Sequence, residues 1–100
     1  MPKAILRRMV SAWNDSSFES YSRDFTQNLR DHYHPAYFGR LRSRTGRWLS
    51  NNYLGELKQG ACCVHLWRSR FENVENDVLM SLTLNAAGKV AGVLKRASKV

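Results

Sequence analysis

Leu66-Trp67-Arg68-Ser69-Arg70-Phe71, followed by Asp77-Val78-Leu79-Met80-Ser81-Leu82-Thr83-Leu84 and Gly88-Lys89-Val90-Ala91-Gly92-Val93-Leu94, is the stretch that sets the fold class. Apolar and polar residues alternate along it with the period of strands buried on one face. A two-residue turn at Glu75-Asn76 would set Phe71 opposite Met80, Ser69 opposite Leu82 and Trp67 opposite Leu84. The reverse face would then pair Arg70 with Ser81 and Arg68 with Thr83. A loop at Ala86-Ala87-Gly88, with the glycine at a left-handed position, would bring Val90, Gly92 and Leu94 beside Leu84, Leu82 and Met80. Both turns give the same apolar face, so the second half of the chain reads as an antiparallel meander covered on one side.

Upstream, Trp48, Leu49, Tyr53 and Leu54 extend the meander by a first strand. The four strands are expected at about residues 47–57, 61–73, 77–85 and 89–96. Ile5, Leu6, Met9, Val10 and Trp13 recur on one helical face, which predicts a helix over about residues 3–13. Ser16 and Glu19 have the spacing of a capping box, so a second helix is expected over about residues 17–34, with Phe18, Tyr21, Phe25, Leu29 and Tyr33 as its stripe and Pro35 as its stop. The segment after Pro35 reads as a short helix or turn. The core should draw on Phe18, Tyr21, Phe25, Leu29, Trp67, Phe71, Met80, Leu82, Leu84, Val90 and Leu94. The fold class is therefore α+β, with N-terminal helices packed on a curved four-stranded antiparallel sheet.

One hundred residues make a single domain over residues 1–100. No apolar run reaches the roughly 18 residues of a membrane span, and Arg7 and Arg8 interrupt what would be the apolar region of a secretory signal. A cytoplasmic location is the expectation, with Met1 taken as the natural start. Cys62 and Cys63 are adjacent, point to opposite faces of a strand and lack the spacing of a zinc or thioredoxin-type site, so free thiols are expected and no metal or cofactor is read from them. The net charge of +8 comes largely from two regions, Arg30 to Arg47 and the last residues with Lys89, Lys95, Arg96 and Lys99.

Phe18 to Phe25 on a helix, then Gly46-Arg47-Trp48, then Trp67-Arg68-Ser69-Arg70-Phe71-Glu72, then Gly88-Lys89-Val90-Ala91-Gly92 resemble the layout of small cystatin-like domains of the nuclear transport factor 2-like class. The resemblance covers about Trp13 to Arg96. It implies a curved antiparallel sheet wrapped around helices in a cone, and often a dimer formed through the sheet. It implies no activity, because that class spans enzymes, ligand binders and interaction modules. The Asp and His pair on which its catalytic members rely has no match in this sequence.

His65, Trp67 and Tyr53 are the candidates for lining a pocket between helices and sheet; His65 has the chemistry of a general base, but no carboxylate can be set beside it from sequence. His32 and His34 read as a solvated helix end rather than ligands, since residues two apart do not share a helical face. Arg40, Arg42, Arg44, Arg47, Arg68 and Arg70 are the candidates for a basic surface that would neutralise phosphates or an acidic protein, with Tyr37, Phe38 and Trp48 near enough to stack on bases. No recognition helix or stacking motif accompanies them. The sequence is therefore read first as a non-catalytic binding or interaction module acting as a homodimer. Its alternatives are a nucleic-acid or acidic-partner binder using the arginines, and a small-molecule-binding or enzymatic pocket. No membrane partner is expected.

Overall fold

A computed structural model describes residues 2–97; Met1 and Lys99, which entered the reading of the start and of the basic tail, lie outside the described residues. Four helices precede four strands: α1 (Pro2–Asn14), α2 (Phe18–Tyr21), α3 (Gln27–His32), α4 (Pro35–Thr45), β1 (Trp48–Gln59), β2 (Cys62–Phe71), β3 (Val78–Leu84) and β4 (Val90–Ala97). The strands form one antiparallel sheet in the order β1-β2-β3-β4. The α+β class and the helices-then-meander order agree with the sequence reading. Among the described residues no helix is long and apolar enough to cross a membrane.

The apolar stripe of α1 buries Ile5, Leu6, Met9, Ala12 and Trp13, as its spacing requires. Trp13 is fully buried, and its ring meets Tyr21, Phe38, Trp48 and Phe71 at centroid distances of 5.6, 5.2, 6.1 and 5.8 Å. Its indole N–H donates to the Gly46 carbonyl at 3.0 Å. At the end of α1, the Asn14 side chain pairs with the backbone of Trp48 in both directions, accepting its N–H at 2.8 Å and donating to its carbonyl at 3.0 Å. Arg42 reaches over from α4 to donate to the carbonyls of Trp13 and Asn14, a cation where the helix dipole is negative.

The expected second helix is two short helices, α2 and α3. Ser17, not Ser16, caps α2 by accepting the Ser20 N–H, and Ser16 takes a positive φ of 57°. The chain then leaves the helix because Phe25 forms a parallel bridge with Val90, with Thr26 N–H donating to Val90 O at 2.8 Å and Val90 N–H to Asp24 O at 2.7 Å. Tertiary pairing with the start of β4 outcompetes local helix propensity there, and Thr26 recaps the chain into α3. Pro35, expected as a stop, is the first residue of α4, where its missing N–H costs nothing.

On β2 and β3 the expected faces hold and the expected register does not. Trp67, Phe71, Met80, Leu82 and Leu84 are buried, while the side chains of Arg68 and Arg70 remain 56% and 51% exposed. The partners, however, are Trp67 with Met80, Ser69 with Val78 and His65 with Leu82. The connection after Phe71 is longer than a two-residue turn, because Glu72 and Asn73 bond back to Arg47 and Thr45. The slip is even-numbered, which preserves which side chains face the helices.

Three bulges change faces elsewhere. Leu49 and Leu54 are extra residues in β1, and Ala91 is extra in β4. Past Ala91 the alternation inverts, so Val93 pairs with Leu82 and Lys95 with Met80 on the inner face. Leu94, expected in the core, is 52% exposed. Phe18 and Leu29, also expected there, are only partly buried against it.

Gly46 closes α4 with φ 73° and ψ −154°, a region essentially reserved for glycine. A Cβ there would lie 2.8 Å from Glu72 Oε1 and 2.9 Å from Asn73 Nδ2. Gly46→Ala is therefore expected to cost about 1–3 kcal/mol in chemical denaturation; a midpoint unchanged from the parent would contradict this.

Candidate functional site

The bulge at Leu54 assembles the most polar cluster on the inner face. Tyr53 and Glu56 are three residues apart and would face opposite ways on a regular strand; the extra residue turns both inward around His65 of β2. Gly55 carries this bend with φ 144°. Tyr53 then lies opposite Trp67, and Glu56 opposite His65.

The three candidate pocket residues are in mutual contact, with ring centroids 6.1 Å apart for Tyr53 and His65, 5.4 Å for Tyr53 and Trp67, and 6.2 Å for His65 and Trp67. The His65 ring is buried, with Nδ1 3.0 Å from the Tyr53 hydroxyl. Glu56 supplies the carboxylate that sequence could not place, with Oε2 3.8 Å from His65 Nδ1. Cys63, two residues before His65 on the same face, donates its thiol to the same Oε2 at 3.0 Å. That shared hydrogen bond holds the Glu56 carboxyl below the usual range and raises the Cys63 thiol. A nucleophilic cysteine would need the opposite shift.

Beside the cluster, between α1 and the β1–β2 pair, is a cavity of about 340 Å³ lined by Lys3, Leu6, Arg7, Val10, Asn51, Tyr53 and Trp67. The Lys3 ammonium stands 5.3 Å above the Tyr53 ring. Asn51 is fixed from both sides, its Oδ1 accepting from Ser69 Oγ at 2.6 Å and from the Trp48 indole at 2.7 Å.

The second unusual group is Lys95, which the β4 bulge turns into the core. Its ammonium lies 4.5 Å from the ring centre of Trp13, 4.9 Å from Tyr21 and 5.5 Å from Trp48, and it donates to the Tyr21 hydroxyl. Burial pushes this amine down to about 7, while the three ring faces favour its charged form. The residue also borders a cavity of about 610 Å³ with Leu41, Arg44, Phe71 and Glu75. In the sequence Lys95 counted only towards surface charge.

The candidate basic residues are divided. Arg42 is committed to the end of α1. Arg68 and Arg70 lie on the outer sheet face, where both approach Asp77, at 3.6 and 3.2 Å. Arg40, Arg44 and Arg47 are exposed on α4 and the turn after it. Comparison with protein-family models, with curated proteins and with solved structures finds no match to this chain.

Proposed function

We propose that the protein is a non-catalytic binding module that works as a homodimer, two copies meeting through the outer faces of their sheets. One observation carries this reading. Leu54, Leu57, Leu79 and Leu94 project from that face with 49, 58, 39 and 52% of their surface exposed. Register makes them neighbours: Leu57 pairs with Val64, Arg68 with Leu79, and Ser81 with both Leu66 and Leu94. The result is an apolar centre with Arg68, Arg70 and Asp77 beside it, the composition of a protein interface rather than of a solvated sheet. Because the patch holds both an acid and bases, it can face a copy of itself, with Asp77 of each chain meeting arginines of the other. Val93 points inward after the β4 bulge, which leaves Leu94 to project from this face.

A cone of the cystatin-like, nuclear transport factor 2-like kind is the finer fold we infer. The three bulges support it, since each bends the sheet locally. The cavity of about 340 Å³ under α1 favours a small-molecule pocket as the second reading, its volume being within the range of ligand sites.

Salt separates the dimer from nucleic-acid binding. Two chains of net charge +8 repel one another, so screening should strengthen self-association, whereas phosphate contacts weaken as salt rises. Sedimentation equilibrium is expected to give a dimer mass that is better populated at higher salt, with Leu79→Glu and Leu94→Glu each shifting it to monomer. A monomer at all salt concentrations, or tight nucleic-acid binding that fades with salt, would overturn the reading.

A further inference from the structure

We propose that Glu56, Cys63 and His65 form a binding site for one divalent transition-metal ion of the zinc class. The ligand atoms of the three residues all lie within 4.8 Å of one another, with Cys63 Sγ 3.0 Å and His65 Nδ1 3.8 Å from Glu56 Oε2. Bonds of roughly 2.0–2.3 Å in a tetrahedron set ligand atoms roughly 3.3–3.7 Å apart. The observed separations bracket that spacing, so small side-chain rotations complete the site without moving the backbone.

Cys63 and His65 project from one face of β2, and Glu56 is the direct cross-strand partner of His65. The His65 ring packs against both Tyr53 and Trp67. Glu56 and Cys63 are the more accessible members, which gives an ion its entry path. Sulfur, imidazole and carboxylate together suit zinc, cobalt or nickel and not magnesium or calcium, which take oxygen. On binding, the Cys63 S–H bond breaks and its proton goes to solvent as the metal–sulfur bond forms. The thiolate and the Glu56 carboxylate then balance the two charges of the ion, and Lys58, opposite Cys63 across the strands, is the nearby cation that the ion must tolerate. The Tyr53 hydroxyl, which hydrogen-bonds to the same His65 Nδ1, gives up that bond when the nitrogen takes the ion, and three protein ligands leave a fourth position for water or a ligand.

Cobalt(II) alone is the probe. Titration of the full chain is expected to saturate at one equivalent, with visible bands of tetrahedral cobalt and a near-ultraviolet thiolate-to-cobalt band. Cys63→Ser should abolish the thiolate band and Cys62→Ser should keep it, because Cys62 points to the other face. Glu56→Gln, at an exposed position, should weaken binding beyond the roughly 10- to 100-fold that losing a supporting group costs. Zinc should displace the cobalt and bleach the spectrum. Absence of the bands in the folded parent, or their survival in Cys63→Ser, would overturn the site; circular dichroism of each variant establishes that it is folded.

Discussion

Trp13→Ala is expected to remove most of the stability of this fold. Truncating a buried Trp costs about 3–5 kcal/mol, against a total of roughly 5–15 kcal/mol for domains of this kind. Trp13 belongs at the severe end, since four aromatic neighbours lose a packing face together and the Lys95 ammonium loses its nearest ring. The Gly46 carbonyl loses its indole donor as well. Trp13→Phe should cost less, about 1–3 kcal/mol, because it keeps an aromatic body and gives up the N–H. Denaturant melts of both variants test this; a loss under about 1 kcal/mol for Trp13→Ala would mean that the aromatic cluster does not hold the helices to the sheet.

Lys95 should make stability fall with falling pH, as acid denaturation does, but in a window between about 7 and 10.5, far above the carboxylate range. Its amine is lowered from 10.5 to about 7 in the folded chain by burial. Between those values the unfolded chain binds more protons than the folded one, so stability rises with pH across that window and is lost as pH falls towards 7. Linkage over the full window is on the order of 5 kcal/mol, reduced by the attraction of the ring faces for the charged amine. Tyr21 and Tyr33 act in the opposite sense. Burial raises both phenols above 10, so their contribution is complete below 10 and is lost at higher pH. Stability should therefore rise from pH 7 to a maximum near pH 10, with Lys95→Met removing the rise and leaving the fall above 10 in place. A parent whose stability is flat from pH 7 to 10 would refute the caged amine.

The same residue marks the boundary between what could be read and what could not. Alternation along Leu66 to Phe71 and Val78 to Leu84 correctly turned Trp67 and Phe71 inward and Arg68 and Arg70 outward, because burying a guanidinium is far costlier than exposing it. The stripe of α1 was equally legible, as Ile5, Leu6, Met9 and Trp13 all lie in the core. His65, Trp67 and Tyr53 were singled out from the strand pattern, and they do touch. Gly55 inside an otherwise regular strand was a signal for a bulge that went unused, and Thr26 followed by a helical run was a signal for a restart.

The sequence by itself determined the α+β class, the order of helices before strands and the inner face of β2 and β3, since those follow from period and from the cost of burying charge. Only the tertiary structure decided the β2–β3 register, the break of the second helix at Phe25 and the three bulges. Bulges are settled by hydrogen bonds to a neighbouring strand, and one extra residue inverts every later side chain, so no reading along a single strand can place Glu56 beside His65 or bring Lys95 in among Trp13, Tyr21 and Trp48.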